Sequence, residues 1–175
     1  AIVAESLPFT DPVHKVTIMP RGRALGLTWQ LPERDRISMY KDQMLSQLSI
    51  LFGGRIAEDI FVGRISTGAS NDFERATQMA REMVTRYGMS DKMGVMVYAE
   101  NEGEVFLGRS VTRSQNISEK TQQDIDAEIR RILDEQYQVA YKILDENRDK
   151  METMCKALMD WETIDRDQVL EIMEG

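Results

Sequence analysis

Apolar and polar positions alternate with a period of two near the start of the chain, then switch to a period near 3.6. Val16 and Ile18 alternate with Lys15, Thr17 and Met19, and after the Pro20-Arg21-Gly22-Arg23 turn Leu25, Leu27, Trp29 and Leu31 keep the same period. Two short strands joined by a turn are predicted there. The run Val95-Met96-Val97-Tyr98, between Gly94 and the acidic Glu100-Asn101-Glu102-Gly103-Glu104 loop, predicts a third. The sheet is expected to be small.

From Ile37 onward the helical period takes over. Met44, Leu48, Leu51 and Phe52 form a stripe that Ile56 and Ile60 continue beyond Gly53-Gly54. Each glycine inside a helix costs about 1 kcal/mol against alanine, so the pair is expected to sit where another backbone packs closely. After the loop-formers Ser66-Thr67-Gly68-Ala69, Ser70 or Asn71 can cap a helix whose stripe is Phe73, Ala76, Thr77, Ala80, Val84 and Tyr87, terminated by Gly88. Ser118 caps a long helix with Ile125, Ile129, Ile132, Tyr137, Ala140 and Ile143 or Leu144 on one face, ending near Asn147. A second helix carries Met151, Met154, Cys155 and Leu158. Asp165 with Gln168 forms a capping box before a last short helix with Val169, Ile172 and Met173. Stripes on helices joined by short turns bury against each other, so the second half reads as a helical bundle.

Composition narrows the chemistry. With 175 residues, 42% of them apolar, the chain is sized for one domain with its own core. Its 30 acidic against 22 basic residues give a net charge of -8, unsuited to neutralising phosphates, so nucleic acid is excluded as a partner. Apolar runs fall far short of the roughly 20 residues that cross a bilayer, so no anchor or signal is expected within it, and the Ala1 start reads as an excised terminus. Cys155 is the single cysteine and His14 the single histidine. A complete zinc centre wants several such ligands, and a catalytic triad has no base but His14.

Three segments carry a resemblance: His14-Lys15-Val16-Thr17-Ile18 with Pro20-Arg21-Gly22-Arg23-Ala24-Leu25-Gly26; Gly53-Gly54-Arg55-Ile56-Ala57-Glu58; and Ser66-Thr67-Gly68-Ala69-Ser70-Asn71-Asp72. A fourth is Gly103-Glu104-Val105-Phe106-Leu107-Gly108-Arg109, and the likeness runs on to Glu162-Thr163-Ile164-Asp165. In order and spacing the chain resembles the peptidase domain of FtsH-type ATP-dependent zinc metalloproteases, closest to the bacterial branch. The resemblance implies a mainly α fold: a helical peptidase domain with a small β-sheet near the active site and a C-terminal helical bundle. It implies one domain over 1–175, with an active-site part at 1–110 and a helical part at 111–175. It also implies a homo-hexamer held at the inner membrane by segments outside this sequence, with the protease on the cytoplasmic side. ATP and Mg²⁺ would be bound by a separate ATPase domain, and the substrates would be unfolded or membrane proteins. The family's HExxH helix, with two zinc-binding histidines and a general-base glutamate, would lie immediately before Ala1. The chain alone is therefore expected to hold zinc weakly or not at all and to be inactive.

Within the sequence, Asp72 corresponds to the family's third zinc ligand. Read from the residues, it is an acid in the first turn of a helix, where backbone N–H groups favour a carboxylate and keep it ionised. Glu58 lies on a helix, either as a solvated or capping carboxylate or hydrogen-bonded to a ligating histidine. His14 reads as a structural or surface residue. Gly26, Leu27, Thr28 and Trp29 form either an ordinary strand or an exposed edge able to pair with an extended substrate peptide. The 12 methionines read as core filler. The rival reading is a non-catalytic helical oligomerisation module of an AAA-type assembly, its zinc site vestigial.

Overall fold

The computed structural model describes residues 1–33, 35, 37–98 and 117–175. Alternation at the start produces β1 (Val13–Thr17) and β2 (Leu27–Gln30), preceded by the one-turn α1 (Ile2–Ser6). They pair antiparallel, with Lys15 opposite Trp29, Val16 opposite Thr28 and Thr17 opposite Leu27, and a bulge at His14 shifts the register between Val13 and Lys15. Gly26 leads into β2 where only glycine fits, because a Cβ there would stand 2.9 Å from the Thr17 carbonyl oxygen.

The third strand is not where the sequence places it. Val95, Met96 and Val97 form no strand and are largely exposed. The segment ends by docking: the Tyr98 amide donates to Thr85 O at 2.7 Å and the Tyr98 hydroxyl to Met93 O at 2.9 Å. The third strand is instead β3 (Thr163–Asp165), antiparallel to β1, giving the order β2-β1-β3. Three residues are too few to show alternation, whereas a β-branched run shows a preference that only a partner strand can realise. Residues 99–116, with the Gly103-to-Arg109 match and the acidic loop, lie outside the described residues.

The helices follow the 3.6 period closely but start and stop elsewhere. α2 (Lys41–Ala57) begins four residues after Ile37, which is fully exposed; Gln43 Oε1 accepts the Tyr40 amide at 2.9 Å and closes the helix there. It runs through both glycines. Gly53 faces α1, where a Cβ would meet the Val3 side chain at an ordinary 3.6 Å, while Gly54 faces open space, so the expected close approach of another backbone is found at neither glycine. A π-helical turn (Glu58–Val62) continues α2 until Gly63 takes the left-handed conformation at φ +65.

α3 (Ser70–Thr85) has no side-chain cap from Ser70 or Asn71. The Ser70 amide donates instead to Thr67 O at 3.1 Å, so the loop backbone does the capping. On its buried stripe Met83 joins Ala76, Ala80 and Val84, while Thr77 and Tyr87 are exposed because Tyr87 lies beyond the helix end. The Met89 amide returns to Met83 O at 2.9 Å around left-handed Gly88, closing the end as expected.

α4 (Glu119–Glu146) starts at Ser118, whose Oγ accepts the Thr121 amide at 3.2 Å. It lies against both α2 and α3, and Ser49, fully buried on α2, donates to Gln136 Oε1 at 2.9 Å across that interface. α5 (Arg148–Trp161) buries Met151 and Met154, with Ala157 and Leu158 half-buried against the core, but leaves Cys155 exposed, contrary to its place in the predicted stripe. α6 (Arg166–Glu174) carries the Asp165/Gln168 capping box, with Asp165 Oδ1 accepting the Gln168 amide and Gln168 Oε1 accepting the Asp165 amide, each at 2.9 Å. The fold is thus mainly α with a small sheet. Leu48, Ile56, Met83, Ile125, Ile164 and Val169 are among its most enclosed apolar side chains, each contributing about 2 kcal/mol by burial. No helix among the described residues is long and apolar enough to cross a membrane.

Candidate active site

Helix α2, its π-helical turn and the loop to α3 bring the Gly53-to-Glu58 and Ser66-to-Asp72 segments together. Asp72 lies in the first turn of α3 and is half-buried. Partial burial pushes its carboxyl above the usual aspartate range, and nearby Arg75 offsets this in part. Desolvation is thus the larger of these two influences on the acid, and a cation beside it would stabilise the carboxylate.

Glu58 turns towards the loop. Its Oε1 accepts the Ser66 hydroxyl at 2.5 Å and its Oε2 the Ser66 amide at 3.3 Å; these bonds, with help from Arg55, hold its carboxyl below the usual range. The hydroxyl of Ser66 also accepts the Gly68 amide at 3.1 Å. Arg55 reaches the same loop, its Nη2 donating to Ser66 O at 3.4 Å and its guanidinium lying 4.9 Å over the Phe73 ring. Arg55 and Ser66 are the partners that single-residue reading missed. The signal available was their presence inside the two matching segments.

His14 is exposed in the β1 bulge, its ring edge-on to Trp29 at 6.1 Å. It is a surface residue of the sheet, as expected. Among the described residues no three His, Cys, Asp or Glu side chains come close enough to hold a metal ion. Asp72 thus fits a zinc centre as one oxygen donor, and further donors must come from elsewhere.

Strand β2 is an edge. The Leu31 amide donates to Pro12 O at 3.1 Å, so Leu31, Trp29 and Leu27 turn their backbone groups towards β1. By alternation, the N–H and C=O of Thr28 point to the open side. Leu27, Trp29 and Leu31 share one sheet face and are each a little over 40% exposed, with Lys15 Nζ 4.6 Å over the Trp29 ring. An open groove of about 510 Å³ flanks α3, lined by Met39, Met44, Asn71, Arg75, Met79 and Tyr87. Of the methionines read as core filler, Met19, Met39, Met96 and Met159 are in fact exposed, Met39 at this groove.

Residues 1–172 match the family described as Peptidase family M41. The chain is 62% identical over 175 residues to the ATP-dependent zinc metalloprotease FtsH of Cupriavidus metallidurans, covering 100% of this chain and 27% of that protein. Against the proteins of the same name from Photobacterium profundum and Magnetococcus marinus the identities are 53% and 50%, covering 99% and 100% of this chain and 25% and 26% of theirs. The chain spans about a quarter of the length of the curated relatives it matches. A family match over nearly every residue, with the two glycine-bearing segments folded onto one helix start, leads to one conclusion: this chain belongs to peptidase family M41.

Proposed function

We propose that this chain is the proteolytic part of a membrane-anchored, ATP-dependent zinc endopeptidase that degrades unfolded or membrane proteins. The observation that carries the reading is Asp72: a half-desolvated carboxylate at the start of α3, in a segment of a chain that matches zinc metalloproteases by name along its whole length. Asp72 would supply one oxygen ligand. The two histidines and the general-base glutamate of HExxH would come from a segment preceding Ala1, since the single histidine here, His14, cannot build that motif. Bound zinc would polarise the scissile carbonyl and lower the pKa of water to about 7.

The residues of this chain have their own tasks. Asp72 offsets the metal's charge. At the edge of β2 the Thr28 N–H and C=O offer hydrogen bonds to an extended peptide irrespective of its sequence, as a protease fed unfolded chains requires. Glycine at 26 keeps the strand close to β1, and Leu27 and Trp29 give the bound segment an apolar flank. A homo-hexamer with its protease on the cytoplasmic side of the inner membrane, driven by ATP and Mg²⁺ in a separate domain, completes the reading.

The test is Asp72→Asn in the full-length protein, which keeps size and removes charge. Loss of bound zinc and of casein degradation, with ATP hydrolysis continuing, is the expected result. A zinc-replete, active variant would refute the assignment. The 175-residue chain by itself should bind zinc weakly and cleave nothing, because one ligand stands where three are needed. Stoichiometric, chelator-sensitive zinc with peptidase activity in that chain would count against it.

A further inference from the structure

The loop at residues 66–69 is held from two sides immediately before it delivers Asp72. Glu58 commits each carboxylate oxygen to Ser66, one to the hydroxyl at 2.5 Å and one to the amide at 3.3 Å. The hydroxyl passes the restraint on by accepting the Gly68 amide at 3.1 Å, and Thr67 O accepts the amide of Ser70, the first residue of α3. Gly68 sits against this clamp. A Cβ there would lie 3.2 Å from Ser66 Oγ and 3.8 Å from Glu58 Oε1, so a side chain would press directly on it. From the other side Arg55 lies over Phe73, the residue next to Asp72, and reaches Ser66 O at 3.4 Å. Phe73 is itself tilted against Phe52 of α2 at 6.1 Å.

We infer that Glu58 and Arg55 are positioning residues that clamp the loop through Ser66 and Phe73 and so fix where the Asp72 carboxylate meets the metal. This rests on the reading of Asp72 as a zinc ligand. It gives Glu58 a different task from orienting a histidine: its hydrogen bonds run to the loop, and it acts on the ligand at the far end of that loop. The effect needed is small in distance and large in consequence, since a ligand held loosely by about 1 Å loses much of its metal affinity.

A double-mutant cycle on metal affinity in the full-length protein separates the two tasks. Zn²⁺ affinity is measured by competition with a chromophoric chelator, and Co²⁺ substitution reports the coordination geometry through its visible spectrum. Ser66→Ala, at an exposed hydroxyl, should weaken Zn²⁺ binding about tenfold and alter the Co²⁺ bands with the thermal midpoint kept, while Ser66→Thr restores both. Glu58→Gln combined with Ser66→Ala should lose clearly less than the product of the two single losses, because they share the carboxylate–hydroxyl contact while only the Ser66 amide bond is separate. Single losses that multiply in the double variant would return Glu58 to a separate partner and overturn the clamp. So would normal affinity and an unchanged Co²⁺ spectrum in Ser66→Ala. Full zinc retention by Asp72→Asn would instead remove the reading beneath, and the clamp's metal role with it.

Discussion

Glu128 shows how one charged side chain can be buried with profit. It is 5% exposed on α4, with Oε2 accepting the Ser90 hydroxyl at 2.5 Å and both oxygens accepting from Arg131, at 2.9 and 3.1 Å. Ser90 also accepts the Met93 amide, so the segment after α3 is moored to α4 through this carboxylate. The Arg131 hydrogen bonds, with Ser90 assisting, hold the carboxyl below its ordinary value of 4.5 against the opposing effect of burial. A depressed carboxyl contributes stability that is full above the unfolded value and disappears as pH falls through the folded one. Glu128→Gln should therefore cost about 2 kcal/mol at pH 7, and the difference from the parent should close in acid below pH 4.5, measured by denaturant titration at each pH. Local partners were legible here and distant ones were not. Ser118 and the Asp165/Gln168 pair declare themselves within four residues, whereas Ser90 and Glu128 stand 38 apart and Glu128 reads as one more solvated acid.

At the scale of elements, the β2 edge makes a sharp distinction between neighbouring residues. Proline at Thr28 removes an N–H that faces the open side and leaves the β1 ladder whole, whereas proline at Trp29 removes one that faces β1. In the full-length protein Thr28→Pro should impair degradation of an unfolded substrate more than ATP hydrolysis while keeping the folded sheet. Trp29→Pro should destabilise the domain itself. Degradation at the parent rate in Thr28→Pro would remove the edge from the peptide path; equal melting of the two variants would show that the backbone parity is misassigned. Alternation made β1 and β2 readable, because a half-buried strand must show its two faces in sequence. It failed for β3, whose Ile164 is fully buried but has only one neighbour on each side, and misled at Val95 to Val97, where among the described residues no strand lies alongside to use the propensity. For the site, the loop and helix start around Asp72 were legible from the matching segments. The Glu58–Ser66 bonds were not, since they depend on a π-helical turn that shifts helix phase and no period reveals.

For the whole molecule, α4 is the common wall. Ile125, Ile129, Ile132, Ala140 and Leu144 belong to the same core as α1, α2 and α3, and β1, Ile164 and Val169 extend it towards the C-terminal helices. Ile125→Ala, at a site 1% exposed, should cost about 3 kcal/mol, and hydrogen exchange should show α2, α3 and α4 opening together. Exchange that accelerates in α4 alone would show two separate cores. The β1–β3 pairing reaches further still, joining Thr17 to Thr163 through hydroxyls 2.7 Å apart and Ile18 to Glu162 through the backbone. This has a consequence during synthesis. With β2 and β3 on opposite sides of β1, the β2 edge gains its full support only when residue 165 has left the ribosome, roughly 7–30 s after residue 17 at typical elongation rates. The sheet of a nascent chain is thus completed only when translation of the segment is essentially over, a delay written into strand order.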